Sequence, residues 1–247
     1  MINKATVKYI QSLQHKKFRD EHHAFIAEGP KPVSELLAGG NFECEDIFCT
    51  EKGMELLKGN PAGKLSRSIN IIADFELEKI SALSTPNNML AVFKKKRVND
   101  QPDIRQKLSL VLDDIQDPGN LGTIIRIADW FGLQHIFCSA ATADCYNPKV
   151  VQSTMASLGR VNILYGDLKK VLEDHEGIKK YAAVLGAEDV RSVGKIKEGM
   201  IIIGNESKGI SAELLQLVDQ KISIEKTGDA ESLNAAVATG IILFSVT

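Results

Sequence analysis

The sequence has no GxGxxG behind an apolar strand, no GxxxxGK[ST], no GxSxG and no HExxH. These absences weigh against an ordinary dinucleotide fold, a standard P-loop enzyme, a nucleophile-elbow hydrolase and a zincin. No other His, Cys, Asp or Glu cluster has metal-ligand spacing, so no metal is expected. No apolar stretch approaches the roughly 18 uninterrupted residues that a membrane helix needs. The opening MINKATVKYIQSLQ lacks the apolar core of a signal peptide, and a cytoplasmic address is the default. Cys44, Cys49, Cys138 and Cys145 match neither CxxC zinc pairs nor a disulfide framework; they read as reduced, mostly structural thiols.

What is present is an ordinary globular composition: 247 residues, 44% hydrophobic and 25% charged, enough for one large domain or two modest ones. The net charge of −2 hides a split, with 15 Lys/Arg against 12 Asp/Glu in residues 1–97 and 15 against 20 beyond. A mildly basic front is compatible with a nucleic-acid partner without demanding one.

Over residues 1–95 the patterning predicts a compact α/β domain. A first helix carries Val7, Ile10 and Leu13, and a second ends at Gly39-Gly40. Strands are expected at Ala24–Glu28, around Ile47 and Phe48, at Ile69–Ala73 and at Met89–Phe93, with a helix from Asp74 through Leu83. His15, Lys16, Lys17 and Arg19 form a basic turn that reads either as an RNA contact or as a solvated loop. Composition shifts most clearly at Lys94-Lys95-Lys96-Arg97, and a linker is expected at 96–107. The basic run fits a solvated connector and a phosphate contact equally well.

Residues 108–247 read as a second domain, with strands at 108–112, 135–138, 161–164, 181–185, 200–204 and 221–224 and a last helix over 231–245. Strands alternating with helices predict a parallel sheet covered on both faces. Three stretches in it hold polar residues that a core would not need. LSLVLDDIQDPGNLGTIIRIADWFG makes a strand, a loop and a helix capped by Asp117-Pro118, delivering Asn120 and Arg126 to a strand's carboxyl end. Six helical positions put those two side chains some 120° apart, so they meet only if Asn120 lies outside the helix body. MIIIGNESKGISAELL sets Glu206 between Gly204 and Gly209 after a strand. KISIEKTGDAESLNAAVATGIILF brings Ser232 and Asn234 to the mouth of a helix expected to bury Leu233, Val237, Ile241 and Phe244.

Taken in order, N-L-G-x-x-x-R, I-G-x-E-x-x-G-[IL]-S and S-L-N-x-x-V-A resemble the SpoU/TrmH family of RNA ribose 2′-O-methyltransferases. The resemblance covers residues 108–246, and FIAEGPKPVSELL is similar, more loosely, to that family's small ribosomal-protein-like substrate-binding domain. It implies an α/β fold with a trefoil knot near the C-terminus, S-adenosyl-L-methionine as cofactor, rRNA or tRNA as substrate, and a homodimer. It also implies a catalytic set of Asn120, Arg126, Glu206, Ser232 and Asn234. The cofactor would rest on Leu185, Gly186, Ala187, Ile203, Gly204, Asn205, Gly209, Ile224, Gly228 and Leu233. Glu225-Lys226 stand where the family usually has Pro-Met. An RNA-binding or ribosome-assembly protein that kept the fold without the chemistry is the alternative.

Overall fold

The computed structural model describes residues 1–58, 68–96 and 102–247, which divide into two compact units. The first takes the residues up to 97 together with 144–160. It contains helices α1 (Lys4–Ser12) and α2 (Lys16–His22), strand β1 (Ala24–Glu28), helix α3 (Pro30–Gly39), strand β2 (Cys44–Cys49) and helix α4 (Glu51–Lys58). Strand β3 (Ile69–Ile71), helix α5 (Asp74–Ile80) and strand β4 (Met89–Lys94) complete its front portion. The sheet order is β1-β4-β2-β3, with β4 antiparallel to both neighbours and β3 parallel to β2. Ile10, Leu13, Ile26, Leu77, Ile80 and Val92 close one apolar layer against it.

The expected basic turn is largely helix α2, β4 runs one residue past Phe93, and two predicted ends fall short. Strand β3 stops at Ile71, and α5 ends at Ile80 rather than Leu83. The second shift has a visible cause: the Ser81 hydroxyl and the Ala82 N–H both donate to the Glu28 carboxylate, drawing the chain off the helix axis. Of the basic run, Lys94 pairs with Glu45 at 2.7 Å and Lys95 with Asp20 at 2.5 Å. Arg97 and the linker positions 98–101 lie outside the described residues.

The second unit opens with strand β5 (Leu108–Leu112), helix α6 (Pro118–Trp130) and strand β6 (His135–Cys138). After helix α7 (Pro148–Thr154) come strand β7 (Asn162–Tyr165), helix α8 (Leu168–Asp174), strand β8 (Lys180–Asp189) and the short helix α9 (Val190–Val193). Strand β9 (Gly199–Ile203), helix α10 (Ala212–Leu215), strand β10 (Gln220–Ser223) and helix α11 (Ala235–Val246) finish it. Six parallel strands run in the order β10-β8-β9-β5-β6-β7. β5 and β9 are buried along their whole length, as continuous apolar strands of a doubly covered sheet must be. The chain leaves β5 toward β6 on one side and comes back through β9 on the other. The carboxyl ends of β5 and β9 are therefore a topological switch point, where open α/β sheets bind ligands.

Two readings of the sequence need correction here. Residues 144–160, expected within the second domain, pack with the first unit. Arg19, only 2% exposed, grips Asp144 there at 2.6 Å, and Asn41 Nδ2 donates to the Gly159 carbonyl at 2.8 Å. Arg19 is thus a buried tie rather than part of an exposed basic turn. The second correction concerns α11, which begins at Ala235 and buries Ala236, Thr239, Ile242, Leu243 and Val246. Leu233, Val237, Ile241 and Phe244, expected inside, are exposed by 46%, 51%, 37% and 75%. The helix is apolar all round, so periodicity could not say which stripe faces the core.

Candidate active site

At the switch point the backbone makes two sharp turns side by side. After β5, Asp114 takes a positive φ of 60° and its N–H donates to the Ser139 hydroxyl at 2.9 Å. After β9, Asn205 and Gly209 exchange backbone hydrogen bonds of 3.1 and 2.9 Å, which close the 204–209 loop on itself. A side chain at Gly204 would put its Cβ 2.4 Å from the Gly209 carbonyl carbon and 2.5 Å from the Ile210 nitrogen. Only glycine fits. Gly209 holds a φ of 70°, the other conformation that favours glycine. Asn205 stitches the two turns together: its Oδ1 accepts from the N–H groups of Ser207 and Lys208, and its Nδ2 donates to the Asp114 carbonyl at 2.8 Å. Asp113 adds a second tie by accepting the Ser211 N–H at 2.8 Å.

Two helix starts face this loop. Asp117 caps α6, accepting the Asn120 N–H at 2.8 Å, with Pro118 at the first helical position. Asn234 caps α11, its Oδ1 accepting from Ala236 and Val237. Its Nδ2 donates to Asn120 Oδ1 at 2.7 Å, and Asn120 Nδ2 donates to Glu206 Oε1 at 2.5 Å. Three side chains from three separate stretches, Asn120 lying 86 residues from Glu206 and 114 from Asn234, thus form one hydrogen-bonded chain ending on a carboxylate. Because its acceptor is ionised, the Asn120–Glu206 bond belongs to the stronger class.

The remaining residues of the set implied by the resemblance, Arg126 and Ser232, make no contact with this chain of hydrogen bonds among the described residues. Asn120 lies in the first turn of α6, not outside the helix, so Arg126 emerges on a different side. Arg126 and Ser232 are exposed and show no hydrogen bond or ion pair among the described residues. Glu225 pairs with Arg191, which also holds Asp189.

The cofactor set falls around β8, β9 and β10. The β10–β8 register jumps from Lys221↔Ala182 to Ile222↔Glu188, so residues 183–187 loop out of the ladder. Gly186 has a φ of 71° and Leu185 is 66% exposed on this bulge. Ile203 is buried, Ile224 half-buried and Gly228 exposed. Asn205, in the expected cofactor set, turns its side chain into the loop and onto the Asp114 carbonyl. Asp113 and Asp114, which tie the two turns, carry a sequence signal of their own, as two acidic residues ending a buried strand.

Residues 107–244 match the model of the SpoU rRNA Methylase family, and residues 4–91 match that of the MRM3-like substrate binding domain. Over 243 residues the chain is 29% identical to the 23S rRNA (guanosine(2553)-2′-O)-methyltransferase RlmP of Bacillus subtilis, covering 96% of this chain and 94% of that one. Its fold superposes with a TM-score of 0.87 on a Porphyromonas gingivalis chain assigned to the TrmH family of RNA methyltransferases, at 31% identity over 99% of this chain and 98% of that one. The AdoMet-bound rRNA methyltransferase of Sinorhizobium meliloti gives a TM-score of 0.84 at 28% identity, covering 99% and 95%. The fold and the matched family model are those of an RNA methyltransferase. More narrowly, the chain belongs to the SpoU rRNA methylase family.

Proposed function

We propose that Asn120, Arg126, Glu206, Ser232 and Asn234 are the catalytic set of an S-adenosylmethionine-dependent methyl transfer to a ribose 2′-hydroxyl of ribosomal RNA. The observation that carries this is the Glu206–Asn120–Asn234 chain at the carboxyl ends of β9 and β5. The residues present fit the cofactor. The 183–187 bulge has no ladder partner, and the 204–209 turn has no room for a side chain at its first glycine. Such backbone supplies N–H and C=O groups to a polar ligand, with Leu185, Ile203, Ile224 and Leu233 as its apolar flank. S-adenosylmethionine supplies a sulfonium methyl that is already activated.

The protein is left with aligning the 2′-hydroxyl, whose proton passes to solvent water as its oxygen takes the methyl and the sulfonium becomes a neutral thioether. Arg126 is too basic to act as a base in its usual ionised state. Its guanidinium grips the adjacent phosphate and steadies the oxygen as negative charge develops there. Glu206 and Asn234 fix the amide of Asn120, which orients the ribose. With radiolabelled S-adenosylmethionine and ribosomal RNA, label is expected at a ribose 2′-oxygen. Arg126→Lys, a charge without the fork, should lose roughly 100-fold in rate, the scale of one lost transition-state donor. Near-full activity in that variant would dismiss the clamp, and no label at all would favour an RNA-binding protein without the chemistry.

The working unit we propose is a homodimer, in the cytoplasm with its ribosomal substrate. Helices α6 and α11 lie side by side, Ile127 packing at Gly240, and both expose apolar side chains: Trp130 at 85%, Phe244 at 75% and Val237 at 51%. Patches of this kind mark association surfaces. Arg126 stands one turn before Trp130, so pairing two copies over this face brings the cation to their junction. Phe244→Asp with Val237→Asp is expected to give monomers in analytical ultracentrifugation; a dimer that persists would place the interface elsewhere. We also read the chain end as the family's knot. β10 closes the sheet beside β8, while α11 returns to α6 and α9 and its Val246 carbonyl accepts the Ile196 N–H at 2.8 Å. Among the described residues no helix is long and apolar enough to cross a membrane.

A further inference from the structure

The first unit holds a cavity of about 280 Å³ that the catalytic set does not use. β1 contributes Ile26 and Glu28, the turn after α5 contributes Ala82 and Leu83, and α7 contributes Pro148, Lys149, Gln152 and Ser153. Glu28 is only 5% exposed, an unusual place for a carboxylate. Its two oxygens each accept one hydrogen bond, from the Ser81 hydroxyl and, at 2.8 Å, from the Ala82 N–H. An ionised carboxylate has about four acceptor positions, so acceptor capacity remains. The Gln152 amide, half-buried, shows no hydrogen bond among the described residues. Lys149 stands exposed at the mouth, and Ile26, Leu83 and Pro148 supply apolar walls.

We propose that this cavity receives one unpaired guanine of the RNA substrate, read by Glu28 and Gln152 while Lys149 meets the adjoining phosphate. A flat heterocycle suits the apolar walls, and single-stranded RNA is read by splaying bases into such pockets. Guanine alone presents two neighbouring donors, its ring N–H and its amino group, beside a carbonyl. A carboxylate accepts the pair, and an amide N–H answers the carbonyl. Adenine and cytosine set an acceptor beside their amino group, and uracil flanks its N–H with two carbonyls that a carboxylate repels. Burial holds the Glu28 carboxyl above its ordinary range, its two donors offsetting only part of the rise. The inference rests on the reading of this chain as an RNA methyltransferase, because that reading makes RNA the ligand.

The test is a fluorescence binding titration of the full chain with the labelled pentamers UUGUU, UUAUU and UUIUU, in which inosine lacks only the amino group of guanine. The unmodified chain should bind UUGUU roughly tenfold more tightly than either of the others, the range of one bidentate base contact. Glu28→Gln should erase that preference. Gln152→Leu, which touches no other hydrogen bond, should reduce it with the melting temperature unchanged. Equal affinity for the three pentamers, or an undiminished preference in both variants, overturns the proposal. S-adenosylhomocysteine binding and methyl transfer are followed in parallel. A guanine preference without methyl transfer would fault the assigned reaction and leave the pocket standing. Methyl transfer without any guanine preference would do the reverse.

Discussion

Replacing Gly204 by alanine is expected to abolish cofactor binding and methyl transfer together. The added Cβ would lie 2.4 to 2.5 Å from three backbone atoms of Gly209 and Ile210, and backbone cannot yield as a side-chain tip can. Overpacking of this kind costs about 1–3 kcal/mol, and more where the neighbour is immobile. Relief requires opening the turn, which breaks the Asn205–Gly209 pair and withdraws Glu206 from Asn120. Calorimetric titration with S-adenosylhomocysteine should show affinity weakened by roughly 100-fold or more, as about 3 kcal/mol of strain dictates. Gly177→Ala, with nothing within 4 Å of its added carbon, is the matched control and should bind normally. Normal binding by the Gly204 variant would mean that this turn does not hold the cofactor.

Arg19→Ala should be the most destabilising single change in the first unit. The guanidinium satisfies the carbonyls of Leu13 and Gln14 at 3.0 and 2.8 Å and reaches Asp144 through Nε and Nη2. Truncation leaves Asp144 Oδ2 and two carbonyls without the donor they had, and only the Tyr146 N–H, on Oδ1, still meets that carboxylate. Breaking a buried pair in this way costs about 3–5 kcal/mol, against a total stability of about 5–15 kcal/mol for a typical protein. Thermal unfolding should fall by roughly 10 °C. Arg19→Lys should recover little, since one ammonium cannot replace the planar fork. The double variant with Asp144→Asn should lose less than the sum of the two single changes. A shift under about 2 °C for Arg19→Ala would show that the tie is dispensable.

The two corrections have a common root. The strand–loop–helix units of the second domain could be read from sequence because buried parallel strands announce themselves as apolar runs, and Asp117-Pro118 and Gly204 are local signals. Asn120, Glu206 and Asn234 could be gathered into one site only through the likeness of their three motifs to the SpoU/TrmH family, since no local signal joins them. The exposed stripe of α11 could not be assigned, since Val237, Ile241 and Phe244 are as apolar as the Ile242, Leu243 and Val246 that face inward. Nor could the crossing of residues 144–160 to the other unit. An arginine among histidines and lysines looks solvated until its distant aspartate is known, and that partner lies 125 residues away. Long-range pairing leaves no periodic trace.

The chain from Glu206 through Asn120 to Asn234 also has a direction. A carboxylate can only accept, so Asn120 must turn its nitrogen toward it and its oxygen away. That oxygen demands a donor, so Asn234 must present its own nitrogen, and its oxygen is left for the N–H groups that open α11. Both amides are therefore oriented from each end at once, by a negative charge at one terminus and a helix dipole at the other. Either end alone would suffice to set the direction: without the carboxylate, the N–H groups of α11 would still hold the Asn234 oxygen, and its nitrogen would still hold the oxygen of Asn120.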